Sequence, residues 1–157
     1  RKNSWLRGVR SLTAKEYLSQ GFYLDKEINE KILEIEKLVS DMCRCTQQFS
    51  DMPPDEHNDN STELKMANYI DKHNELENEI NDEIDQLDRI KSEIRKRILK
   101  VKNPKCRLVL LKRYWRFLKW EQIQEEMGYE ETSSVHKLHR KAIREFIKIN
   151  GNYFLGH

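Results

Sequence analysis

His73, Ile80, Leu87, Ile94 and Val101 stand seven residues apart in one unbroken register. Strands repeat every two residues, so a sustained seven-residue apolar repeat commits its stretch to a long helix. Leu76, Ile84, Ile90 and Ile98 fill in at an average spacing near 3.6, which predicts a helix from about residue 62 to 102. A second stretch behaves alike: Leu24, Ile28, Ile32, Ile35, Val39 and Met42 recur at intervals of three and four. Thr13 and Glu16 form a T-x-x-E capping box ahead of it, so this helix is expected from residue 13 to about Thr46. Gly21 is its weak point, costing ~1 kcal/mol relative to Ala. Between the two lies SDMPPDEHNDNST, residues 50–62, where Pro53-Pro54 forbids helix and the rest is acidic and polar, as in a mobile loop.

At about 1.5 Å per residue the helices would be roughly 50 and 60 Å long. Similar lengths and one loop predict an antiparallel hairpin over residues 13–102. A pair of narrow seams buries a thin core, so a homodimer or higher homo-oligomer through the hairpin is expected. The alternative is a monomeric hairpin packed against the C-terminal part. Composition agrees: 37% of residues are hydrophobic and 36% charged, lean for one large globular core and usual for long helices. No apolar run approaches the ~20 residues that cross a bilayer, and no signal-peptide pattern opens the chain. A cytoplasmic protein without membrane contact is expected. Cys43, Cys45 and Cys106 are odd in number, which argues for reduced thiols.

The C-terminal stretch 118–149 reads as two helices joined by a turn. The first runs from Lys119 or Trp120 to Met127, with Trp120, Ile123 and Met127 on one face, and Gly128 ends it. The second buries Val135, Leu138, Ala142 or Ile143, Phe146 and Ile149, while its other face offers His136, Lys137, Arg140, Lys141 and Arg144. Glu130, Glu131, Thr132, Ser133 and Ser134 supply acids and hydroxyls for its N-terminus. Upstream, Asn103-Pro104 is an N-cap followed by proline at the first helical position. Leu108, Val109, Leu111, Tyr114 and Trp115 then form the apolar side of a preceding helix. The fold class predicted is all-α: a long antiparallel helical hairpin followed by a small helix-turn-helix domain over 103–149, with a tail at 150–157.

The run LVLLKRYWRFLKWEQIQEEMGYEETSSVHKLHRKAI resembles region 4 of the sigma-70 family, and resembles still more the ArpU/RinA-type late transcriptional regulators of phages of Gram-positive bacteria. L-x-x-R-Y from Leu110, W-E-x-I from Trp120, M-G-Y from Met127 and V-x-x-L-H-x-x-A from Val135 carry the likeness, and T-A-K-E-Y-L-S-Q from Thr13 resembles the opening of the same phage proteins. The segment from Gly128 to Val135 is one residue longer than that pattern. The resemblance implies a phage-encoded activator of late genes acting in a bacterial host cell, and leaves open a contact with RNA polymerase or a −35-like element. A self-sufficient sigma factor is not expected, because promoter melting needs a basic, aromatic-rich region that captures unstacked bases.

Charge is partitioned in blocks. Residues 13–94 hold 9 Lys+Arg against 21 Asp+Glu, net −12, whereas residues 95–157 hold 16 against 6, net +10. Residues 1–12, RKNSWLRGVRSL, add +4, either as an arm lying on phosphates or as a disordered leader or tag remnant; packing of Trp5, Leu6 and Val9 on a neighbouring helix is the alternative to disorder. A basic pole can neutralise phosphates while an acidic stalk is repelled from them. The function this predicts is sequence-specific binding of double-stranded DNA. Ser133, Ser134, His136, Lys137 and Arg140 are the candidates for base edges and nearby phosphates; Lys141, Arg144, Lys112, Arg113 and Arg116 are the phosphate contacts that set position. The rival is a coiled-coil interaction module, regulatory or anti-sigma-like, that binds a protein without reading DNA. No enzyme is expected, since no phosphate-cradling glycine loop and no nucleophile and base set are present. His136 and His139 form H-x-x-H, but no paired cysteines complete a zinc set, so neither metal nor cofactor is expected.

Overall fold

The computed structural model describes residues 12–53 and 60–151. The basic leader up to residue 11 with Trp5, Leu6 and Val9, the middle of the acidic loop and the last six residues lie outside the described residues. Among the described residues every regular element is helical: α1 (Ala14–Ser50), α2 (Asn60–Ile98), α3 (Pro104–Leu110), α4 (Trp120–Met127) and α5 (Thr132–Asn150). The fold is all-α, a long helical hairpin followed by a small helix-turn-helix. The chain divides into two compact units, Leu24–Leu87 and the remainder, and the division falls inside α1 and α2.

In the unit Leu24–Leu87 the two helices run antiparallel. Lys31 pairs with Glu79 and Glu83, Glu34 pairs with Lys72, and the Thr46 hydroxyl meets the Met66 sulfur, so partners fall along α2 as numbers rise along α1. Positions 24, 28, 31, 35, 38, 42, 45 and 49 of α1 are all buried or half-buried, and so are 62, 66, 69, 73, 76, 80, 83 and 87 of α2. Both sets follow strict alternation of three and four, the heptad seam of a coiled coil. This corrects the expected α1 seam. Leu38 and Lys31 face inward, while Ile32 and Val39 stand 39% and 40% exposed, as does Ile84 of α2 at 40%. The sequence pattern follows the wider apolar stripe; the seam follows the narrower 3.5-residue period and accepts a lysine because Glu83 faces it. Helix α1 also runs four residues past the expected Thr46, and α2 starts two earlier and ends four earlier than 62 and 102.

The other unit packs the roots of α1 and α2 with α3, α4 and α5 around one core. Ala14, Tyr17, Leu18, Ile94, Ile98 and Val101 join Cys106, Val109, Leu110, Tyr114, Ile123, Val135, Ala142, Ile143 and Phe146. Burying each of the larger side chains stabilises by about 1.5–3 kcal/mol. The Thr13 and Glu16 capping box closes as the sequence predicts, with Thr13 N–H donating to Glu16 Oε2 at 2.8 Å and Glu16 N–H to Thr13 Oγ1 at 3.3 Å. Asn103 Oδ1 caps α3 by accepting from the Lys105 and Cys106 amides, and Arg107 reaches back to the Val101 and Lys102 carbonyls. Leu108 and Ile149, expected inside, are exposed; Leu110 and His139 are buried in their stead.

Candidate nucleic-acid interface

The chain leaves α3 through a widened turn, Leu111–Trp115, in which Arg116 N–H reaches the Leu111 carbonyl five residues back. One extra residue per turn rotates the side chains that follow and turns Tyr114 into the core. Phe117 then takes a left-handed backbone with φ 58°, which costs an aromatic residue on the order of 1–3 kcal/mol. Its ring repays this by packing edge-on against Phe22 at 5.9 Å and under the Lys91 ammonium, which also lies over Trp115. The corner is thereby fixed before α4 begins.

Helix α4 ends as its sequence requires. Gly128 is left-handed at φ 70°, and the Gly128 and Tyr129 amides return to the Glu125 and Gln124 carbonyls. The turn is braced by Gln124, whose amide donates to the Glu130 carbonyl and accepts from the Thr132 hydroxyl. No side chain of Glu131 caps α5; the Ser133 hydroxyl instead donates to the Glu131 carboxylate at 2.8 Å.

Val135, His139, Ala142, Ile143 and Phe146 pin α5 to the core. Ser133, Lys137, Arg140, Lys141, Arg144 and Lys148 are exposed and share the opposite face, since they recur every three or four residues. Among the described residues, none of the four cations from Lys137 to Arg144 forms an ion pair, so the face carries uncompensated charge.

The other expected site residues are placed differently. Lys112, only 9% exposed, is bound by Glu126 of α4, and Arg116 grips the same carboxylate with two nitrogens at 2.7 and 3.2 Å. Both cations hold Glu126 well below the ordinary carboxylate range. These two residues tie the widened turn after α3 to α4 through Glu126, whereas the sequence places them as phosphate contacts. Arg113 donates to the Leu118 carbonyl and stacks 4.5 Å from the Trp120 ring. His136 is half-buried with its ring centroid 4.6 Å from that of Trp120, and Ser134 is half-buried too.

His139 enters the sequence reading only as half of an H-x-x-H pair, and the structure gives it a different part. Its Nε2 shares a 2.8 Å hydrogen bond with the Tyr114 hydroxyl. Burial, then the cations Lys15 and Arg113 and the neighbouring His136, push its pKa down to about 4, so the imidazole is neutral near pH 7. Burial pushes Tyr114 up to about 12. Nothing in an H-x-x-H spacing foretells this, because the two histidines lie on one turn of α5 but at different depths. Comparison of the chain with protein-family models, curated proteins and solved structures finds no match.

Proposed function

We propose that the chain is a sequence-specific regulator of transcription that binds double-stranded DNA by laying α5 in the major groove. The observation that carries this reading is the pairing of two faces on one helix: an apolar face sunk in the core and an exposed face of four cations that form no ion pair among the described residues. A groove-reading helix has that requirement, because it must be held rigidly from behind while its front meets phosphates and base edges. Lys137 and Arg140, with Ser133 beside them, serve base edges and the phosphates next to them; Lys141 and Arg144 neutralise phosphates further along the backbone.

The charge distribution supports the same reading. The unit Leu24–Leu87 holds 6 Lys+Arg against 18 Asp+Glu, net −12, while the rest of the chain holds 23 against 9, net +14. Polyanions are drawn to one unit and repelled by the other. By its resemblance to the ArpU/RinA-type regulators, the role is activation of phage late genes, with RNA polymerase of the bacterial host as a further partner. Two copies join through the helical hairpin, whose exposed Ile32, Val39, Ile70 and Ile84 are the surfaces for that contact.

Selection of bound duplexes from a random oligonucleotide pool tests the reading. An enriched motif is expected, and affinity for it should fall steeply between 50 and 200 mM salt. Arg140→Ala or Lys137→Ala should weaken that affinity by about 1–3 kcal/mol if a bidentate base contact is lost. A pool that returns no motif, with salt-insensitive capture of a protein partner through the hairpin, would favour the coiled-coil interaction module instead.

A further inference from the structure

A cavity of about 470 Å³ lies beside the N-terminal half of α5, lined by Lys15, Ser19, Arg113, Tyr114, Trp120, His136, His139 and Arg140. Among the described residues lining it there is no carboxylate, although 27 of the chain's residues are Asp or Glu. Three cations converge there from three elements: Lys15 from the first turn of α1, Arg113 from the widened turn after α3, and Arg140 from α5. Lys15 and Arg140 are exposed and form no ion pair among the described residues. Arg113 spends one nitrogen on the Leu118 carbonyl, which leaves other guanidinium donors available. Tyr114 and His139 satisfy each other at the back of the cavity, and the Trp120 faces are covered by Arg113 and the two histidines. What the cavity chiefly offers is therefore positive charge with N–H and O–H donors.

We propose that this cavity is a phosphate seat, in which Lys15, Arg113 and Arg140 grip one backbone phosphate of the bound duplex beside the bases that α5 reads. The assignment of the phosphate to DNA rests on the function proposed above; the seat itself rests on the cavity and its cations. Three converging cations suit a tetrahedral oxyanion, with Arg113 and Arg140 able to donate in pairs and Lys15 acting as a point charge. The field within the cavity agrees, since Lys15, Arg113 and His136 all oppose a proton on His139. Lys15 is the new member. It brings the first turn of α1, more than a hundred residues upstream of Arg140, into the recognition surface, and no helix-turn-helix pattern would find it.

The test uses the full chain with two probes, a selected duplex and inorganic phosphate. Lys15→Ala should weaken binding of every duplex alike, on the order of tenfold, and reduce the slope of log K against log salt by about 0.9, one phosphate's worth. Lys15→Arg should restore both, and Lys37→Ala, which removes a cation from the acidic unit, should leave the slope unchanged. Without DNA, inorganic phosphate at constant ionic strength should shift the Trp120 indole N–H resonance of the wild type and not of Lys15→Ala. If no duplex binds but phosphate still shifts Trp120 in a Lys15-dependent way, the seat stands with a free phosphorylated ligand as occupant, and the DNA reading fails alone. If duplexes bind and Lys15→Ala changes neither affinity nor slope, or if phosphate leaves Trp120 unmoved, the seat is overturned.

Discussion

His139 sits neutral in the core because its ring has given up water and is surrounded by cations, the Trp120 ring and a tyrosine hydroxyl, with no carboxylate among the causes of its shift. Its folded pKa, about 4, lies below the ordinary 6.5. The unfolded chain therefore takes up a proton between those values that the folded chain refuses. Stability is intact above pH 6.5 and is lost as pH falls toward 4, by a few kcal/mol for a shift of this size. Urea unfolding at steps from pH 7 to 4 should show this decline, and His139→Gln should flatten it. Glu126 acts in a separate window: its carboxyl is held low by Lys112 and then Arg116, so its contribution is present above pH 4.5 and fades only below. Glu126→Ala leaves the Lys112 ammonium buried without its acceptor and should lower the thermal midpoint, whereas Lys112→Met leaves Glu126 exposed and still bridged by Arg116 and should lower it less. From sequence, Lys112 and Arg116 looked like surface cations because their acceptor lies on the next helix, and only the widened turn brings it within reach.

The elements themselves were far more legible. The capping box at Thr13, the Asn103 and Pro104 start of α3, and the left-handed Gly128 are local chemistry, written in neighbouring residues, and each forms as its sequence dictates. The limits of α4 match the expected Trp120 and Met127 for the same reason. The seam of the hairpin was only partly legible, since Ile32, Val39 and Ile84 are as apolar as the residues that do face inward. What decides between the two stripes is a polar pair. Lys31 and Glu83 hold seam positions and bond to each other, with Glu79 assisting from the flank. A slip of one heptad would set Lys31 against Leu76 or Ile90 and strip the ammonium of its acceptor. Lys31→Leu together with Glu83→Leu should therefore raise the melting temperature while loosening register. Cysteines placed at Thr46 and Met66 report it: they should crosslink efficiently in the parent and less completely in the double leucine variant.

At the scale of the whole molecule, a formal charge of +2 conceals one unit of −12 and another of +14. That separation was fully legible, because charge is counted without knowing where a side chain points. The placement of Lys15 was not, because it depends on the root of α1 sharing a core with α5. The exposed Ile32 and Ile84 give the self-association proposal its check. Sedimentation should show the parent as a dimer or larger, and Ile32→Glu with Ile84→Glu should return it to a monomer with α-helix content unchanged. A parent that sediments as a monomer would leave the hairpin's outer face without that role.

The Lys31 and Glu83 pair sets how deep two rods interdigitate, yet it is blind to ownership. An ammonium from one chain satisfies a carboxylate from another as well as its own. Were the tip to open, two molecules could trade arms and keep every ionic and apolar partner. Monomer and exchanged dimer would then differ by the entropy of the connecting segment and by concentration alone.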